Sequence, residues 1–335
     1  MATYKEIFGT NIEVLASDPA NPVQGQVWYN STDNVVKGAA ATTAGAWATG
    51  GTMNTARNFS GDMSVGTQTS TLATGSLAPV AGNPGLTELY NGSAWTEVAD
   101  LNSARYGLGG VGANNTEGLA FGGEAFPNPS PFFRNFSESW NGSVWTEVGD
   151  LNTARFSLGS AGTITSALAF GGEIPGSITG DTESYNGTSW SELNNLNTAR
   201  RLLSGTGVDS TSALAIGGNN LTAAIGNVES WNGTSWTETT DLNTTRQGSG
   251  SAGASSTSAL AVAGGQPPTL YTNTEEWDGV SWTETTDIPT GTAYQGGTGT
   301  TASAIVFGGG TPTLTNATYE WTGAGSPLIQ TFTDS

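Results

Sequence analysis

The chain has 335 residues, 49 of them glycine, with 36% hydrophobic and 11% charged residues, a composition suited to many short strands and tight turns rather than amphipathic helices. Its formal charge of −19 repels nucleic-acid phosphates and anionic membrane, and no stretch approaches the roughly 18 apolar residues of a spanning helix. Cysteine and histidine are both absent, which excludes disulfides, Ser-His-Asp and Cys-His catalysis, and thiolate or imidazole metal sites.

The N-terminus has neither a basic leader nor an apolar run of signal-peptide length, which predicts a product made in the cytoplasm without a signal. Residues 4–38 then read as a β-rich extension. Tyr4, Ile7 and Phe8 precede a strand at Ile12-Glu-Val-Leu-Ala16 and a turn at Ser17-Asp-Pro-Ala-Asn-Pro22. Val27, Trp28 and Tyr29 follow, with a Ser31-Thr-Asp-Asn34 turn into Val35-Val36. So few short strands cannot bury a core alone, so the segment is expected to pack on the rest of the chain or on another chain. Tyr4, Ile7, Phe8, Val27, Trp28 and Tyr29 are the candidate attachment residues.

From about residue 46 one unit recurs: an apolar run ending in Gly-Gly, a Glu-x-(Trp/Tyr)-Asn-Gly turn, a Ser-Trp-Thr-Glu strand, then Asp-Leu-Asn-Thr-Ala-Arg. The closing arginines fall at Arg57, Arg105, Arg155, Arg200 and Arg246, a spacing that predicts one four-stranded sheet per repeat. In the repeat that begins at Arg155, Gly159-Ser-Ala-Gly162 reads as a crowded innermost strand and Ser166-Ala-Leu-Ala-Phe170 as a strand buried on both faces. Glu183-Ser-Tyr185 and Trp190-Ser-Glu192 read as two outer strands joined by a type I′ Asn-Gly turn. The aromatic pairs Tyr90/Trp95, Trp140/Trp145, Tyr185/Trp190, Trp231/Trp236 and Trp277/Trp282 keep one spacing, and are expected to fill the gaps between sheets.

These Gly-Gly pairs, at 122–123, 171–172, 217–218, 264–265 and 308–309, with the downstream Tyr/Trp and Trp, resemble kelch repeats. The resemblance implies an all-β fold: a six-bladed kelch-like β-propeller of four-stranded antiparallel blades over residues 46–335, with residues 1–45 as a short β-rich extension. Two closures of the last blade are open, since Trp47-Ala-Thr and Leu328-Ile-Gln-Thr-Phe332 both suit its outer strand. The C-terminal segment is the one favoured.

The loops between second and third strands differ in every repeat, and a rigid scaffold with divergent loops on one face is the usual arrangement of a binding protein. One loop places Phe126, Phe132, Phe133 and Phe136 with Arg134 among prolines, and aromatics with arginine carry interface energy. Arg105, Arg155, Arg200 and Arg246 lie on the same side. They are read either as a ring for an anionic ligand or, since a repeated acid precedes them as in Asp100-Leu-Asn-Ser-Ala-Arg105 and Asp150-Leu-Asn-Thr-Ala-Arg155, as ties to carboxylates and loop carbonyls. Most acids repeat from unit to unit, whereas an active site breaks its repeat. The chain is therefore read as non-enzymatic, with no cofactor and no metal.

The stretch Gly25-Gln-Val-Trp-Tyr-Asn-Ser-Thr-Asp-Asn34 is similar to segments that open virion structural and tail-fibre proteins of tailed bacteriophages, marine ones especially. This resemblance implies a virion surface protein, a tail fibre, appendage or capsid decoration, that docks on other virion proteins through residues 1–45 and forms a homo-oligomer. Its propeller face would contact host glycan or protein, or other virion proteins. An intracellular kelch-type adaptor and a glycan-active enzyme are the alternatives.

Overall fold

The computed structural model describes residues 12–19, 26–39, 44–59, 63–76, 85–125, 132–310, 313–324 and 329–332. Every regular element among them is a strand. The chain divides into two compact units, one of Met1–Ala46 with Gly323–Ser335 and one of Trp47–Thr322.

The larger unit is built from four-stranded antiparallel meanders. Gly159–Thr163, Ser166–Phe170, Thr182–Tyr185 and Trp190–Leu193 pair in chain order, with Gly159 opposite Phe170, Ala167 opposite Tyr185 and Tyr185 opposite Trp190. The same order recurs from Ser204–Asp209 to Trp236–Glu238 and from Gly250–Ser255 to Trp282–Thr285. The meanders that begin at Met63–Thr67 and Gly109–Asn114 merge into one eight-stranded sheet, because these two first strands pair in parallel.

Burial falls across each meander, and the residue types follow it. The second strands, Ser-Ala-Leu-Ala-Phe and its equivalents, are buried on both faces after their first residue. The fourth strands bury only their tryptophan, which packs on the preceding meander, as Trp190 does on Phe121 at 4.8 Å and Trp236 on Phe170 at 4.9 Å. The repeated rings therefore do fill the gaps between sheets.

The first strands are neighbours in chain order, and the last, Gly296–Gly299, lies against the first, Met63–Thr67. Small residues permit this approach. Ser160 Oγ donates to Gly110 O (3.0 Å), Ser251 Oγ to Gly205 O (2.9 Å) and Thr298 Oγ1 to Gly66 O (2.7 Å), while a Cβ on Gly205 would lie 2.2 Å from Ser160 O. Gly110, Ser160, Gly205, Ser251 and Gly297 are all buried, so side chains and backbone fill the space between these strands.

Two expectations are corrected. Ala46–Thr49 is the outer strand of the last meander, beside Thr318–Thr322, whereas Ile329–Phe332 pairs with Val35–Ala39 in the smaller unit. Trp47 explains this choice, because it occupies the slot of the other fourth-strand tryptophans. Its Nε1 donates to Thr274 Oγ1 as Trp95 Nε1 does to Thr318 Oγ1, Trp145 Nε1 to Thr87 Oγ1 and Trp236 Nε1 to Thr182 Oγ1. The Asn-Gly turns, in turn, are four-residue loops rather than type I′ turns. Asn186 Oδ1 accepts from Thr188 N and Ser189 N, both at 3.0 Å, and only Gly187 takes a positive φ, of 93°.

The smaller unit is one four-stranded sheet in the order Glu13–Leu15, Val27–Asn30, Val35–Ala39, Ile329–Phe332. Its first pair is parallel and the others antiparallel.

Candidate functional site

The repeated Asn-x-x-Arg segment folds back on the third strand of the meander it introduces. Arg57, Arg105, Arg155, Arg200 and Arg246 are fully buried, each paired with the third-strand glutamate, Glu88, Glu138, Glu183, Glu229 and Glu275 respectively. The separation is 2.7 Å for Arg57 and Glu88 and 3.2 Å for Arg155 and Glu183. Carbonyls take further donors, as when Arg105 Nε donates to Gly122 O and Arg200 Nε to Gly217 O, both at 2.9 Å. Burial pulls each guanidinium below its ordinary pKa, and the paired glutamate opposes that shift. The asparagine completes the latch. Asn197 N and Nδ2 both reach Glu229 Oε2, at 2.7 and 2.8 Å, and Nδ2 also reaches Trp236 O at 3.1 Å. Arg105, Arg155, Arg200 and Arg246, candidates for an anionic ligand from sequence, thus sit inside the fold with their charge matched by glutamate.

The last meander lacks this latch on every side at once. Pro289, Thr292 and Tyr319 stand where the other meanders have asparagine, arginine and glutamate. A lone arginine or glutamate there would be a buried charge without a counter-charge, so the three positions change together.

Two residues after each latch arginine, and after Thr292 in the last meander, single residues join successive meanders through backbone hydrogen bonds. Ser157 N donates to Gly107 O (2.6 Å), Leu202 N to Ser157 O (2.8 Å), Gly248 N to Leu202 O (2.9 Å), Tyr294 N to Gly248 O (2.7 Å) and Phe59 N to Tyr294 O (2.7 Å). Ser157, Leu202 and Tyr294 hold positive φ angles of 55°, 54° and 59° to make this relay, a conformation uncommon outside glycine.

Beside the relay lie residues that do not repeat. Asn58 follows Arg57, and the residues after the other four latch arginines are Tyr106, Phe156, Arg201 and Gln247, each of which bridges to the segment leaving a second strand: Tyr106 to Glu124, Phe156 to Glu173, Arg201 to Asn219, Gln247 to Gly265. Phe133 returns beside Glu124 and stacks on Phe156, with ring centroids 4.9 Å apart and planes 16° apart. Tyr106 meets Phe156 edge-on at 6.4 Å. Burial, then a hydrogen bond to Glu124, raises the Tyr106 hydroxyl well above its ordinary pKa. On the far side Arg201 pairs with Glu173, Asn219 Nδ2 donates to Gln247 Oε1 (2.5 Å), and Gln247 Nε2 donates to Tyr294 OH (2.8 Å).

Of the loop residues singled out from sequence, Phe126 lies outside the described residues. Phe132 is 41% exposed, Phe133 lies in the aromatic stack, and Arg134 lies 5.6 Å over the Phe136 ring. Tyr106, Phe156, Arg201 and Gln247 were not singled out. Their signal was present, as four different residues at one position of a strict repeat.

In the smaller unit Tyr4, Ile7 and Phe8 lie outside the described residues. Val14, Tyr29, Val36 and Phe332 form one row across the four strands, and Val27 shares their face. Val14 is 57% and Phe332 56% exposed, so this face is apolar and open. Trp28 is on the opposite face, buried, with its Nε1 donating to Asp18 Oδ1 (3.1 Å). Asp18 also binds Asn30 Nδ2 and Lys37 Nζ, and these contacts, the lysine first, hold its carboxyl below the usual range.

Carboxylates placed directly opposite one another, such as Glu183 and Glu192, recur in the other latched meanders, and the inner member is the latch glutamate. Of the unrepeated acids, Glu173 holds Arg201 and Asp181 accepts from Asn195. Among the described residues no group of three or more acids is placed to hold a metal. The chain matches no protein-family model and no curated protein.

Proposed function

We propose that residues 47–322 form a six-bladed β-propeller of the kelch type, closed by Ala46–Thr49. In this reading the protein is a non-enzymatic surface component of a tailed-phage virion. The open apolar row of the smaller unit docks on other virion proteins, and the rim of Tyr106, Phe133, Phe156 and Arg201 faces a host glycan or protein.

One observation carries this reading: the repeated polar residues are spent inside the fold, and the unrepeated ones collect beside the backbone relay. A scaffold that fixes its own charges and displays variable side chains on one rim is suited to binding. The acids beside that rim, Glu124 and Glu173, are engaged by Tyr106 and Arg201, so among the described residues no paired carboxylates there are poised for hydrolysis. The similarity of residues 25–34 to virion proteins supplies the setting, and the face bearing Val14, Val27, Tyr29 and Phe332 supplies a surface for docking.

The test is to purify particles from cells that produce the protein, assay them for the chain by mass spectrometry, and measure adsorption with Fab fragments raised against the larger unit. The chain is expected in the particle, with adsorption slowed by Fabs that cover the rim. Its absence from particles would reject the virion reading.

A further inference from the structure

We infer that the rim running from Tyr106 to Tyr294 is a binding site for an uncharged glycan, with the aromatic stack as its platform and Arg201, Asn219 and Tyr294, the last two held by the buried Gln247, as its hydrogen-bonding wall. The inference rests on the reading of this rim as the binding face and deepens it by naming the ligand class.

The platform is rigid. Phe133 lies flat on Phe156 and Tyr106 braces Phe156 from the edge, so the three rings support one another, and Phe132 extends the apolar surface toward solvent. Ring faces carry partial negative charge and attract the weakly positive C–H face of a pyranose. Two antiparallel bridges, Glu124 to Phe133 and Phe156 to Glu173, fix the rings to backbone, so little ordering entropy remains to be lost on binding.

The wall is contiguous with the platform, because Glu173 bridges to Phe156 and pairs with Arg201, which in turn bridges to Asn219. Its side chains are aligned by one another, from Asn219 to Gln247 and from Gln247 to Tyr294. The Tyr294 hydroxyl accepts from Gln247 and keeps its own proton to donate, and Glu173 keeps acceptor capacity beyond Arg201. Adjacent donors and acceptors of this kind suit the vicinal hydroxyls of a sugar. The first strands are buried and close-packed, and the relay of Gly107, Ser157, Leu202, Gly248 and Tyr294 runs beside the rim residues, so a ligand lies across the rim rather than entering the fold.

Charge selects the class. The wall's cation, Arg201, has its carboxylate in Glu173, and the chain as a whole carries −19, so a phosphorylated, sulfated or uronic polymer meets repulsion without a compensating anion site. A protein partner needs about 800 Å² per side around its anchors, whereas one ring stack beside a short polar arc matches a few sugar units.

The test uses the purified full chain and short gluco-, manno- and galacto-oligosaccharides, with oligogalacturonate as the charged counterpart, followed by saturation-transfer NMR and titration calorimetry. At least one neutral series is expected to bind, with Phe133→Ala and Arg201→Gln each weakening it about tenfold, the scale of losing one anchor. Val280→Ala, at a 74% exposed position on a turn between outer strands, leaves affinity unchanged. Arg201→Gln keeps the claim testable if Phe133→Ala perturbs the loop, since the Arg201 side chain is partly exposed. Failure of every neutral series to bind, binding of oligogalacturonate alone, or binding indifferent to both rim substitutions would overturn the inference. A chain that binds a neutral series but is missing from particles would reject the virion setting and leave this site standing.

Discussion

Arg200 and Glu229 show what the repeat conserves at the scale of single residues. Both are buried, and their pairing holds only because Asn197, Thr198 and nearby carbonyls satisfy the remaining lone pairs and donors. Arg200→Thr alone strands the Glu229 carboxylate and is expected to cost about 3–5 kcal/mol in urea unfolding. Adding Glu229→Tyr, the pairing of residue types that the last meander uses at Thr292 and Tyr319, should recover part of that loss; a double variant no better than the sum of its singles would contradict the latch. Asp278 gives a second residue-scale test. It stands where four other turns have asparagine, and hydrogen bonds from Ser281 N and Val280 N hold its carboxyl below the ordinary 3.8. Its folded pKa is therefore depressed, so its contribution is present above the unfolded value and lost as pH falls through the folded one. Asp278→Asn should reduce the acid sensitivity of unfolding below about pH 4, read from unfolding curves of the two proteins across that range.

Among elements, the closing strand is the most informative. Trp47 packs on Trp321 at 5.2 Å and donates to Thr274, so Ala46–Thr49 completes the last meander. Trp47→Ala should cost the larger unit about 3 kcal/mol, whereas deleting residues 329–335 should leave its main unfolding transition in place. The reverse result in calorimetry would restore the C-terminal closure. Much of this level was legible in the sequence: the small first strands, the apolar second strands and the constant aromatic spacing all correspond to what forms. The closure was not, because Trp47-Ala-Thr and Ile329-Gln-Thr-Phe332 are equally strand-like, and local pattern does not name a strand's partner. The turn type was also hidden. Asn-Gly permits a two-residue turn, but the asparagine side chain caps the two following N–H groups and selects a four-residue loop. The rim was half legible: Phe132, Phe133 and Arg134 stood out by composition, while Arg201 and Gln247 were ordinary residues until the bridges placed them beside the relay.

In the molecule as a whole, the latches, the tryptophan hydroxyl bonds and the packed first strands account for the repeated residues, and what varies is left at the rim and on the open face of the smaller unit. The net charge of −19 gives the molecule a field that repels phosphate. The central claim, a closed scaffold docked through one unit and binding through the rim of the other, is tested most directly by cryo-electron microscopy of particles carrying the chain. The account predicts that Val14, Val27, Tyr29 and Phe332 are covered by other virion proteins while Tyr106, Phe132, Phe133 and Arg201 remain open to solvent. Density showing that rim buried against a neighbouring virion protein would contradict it.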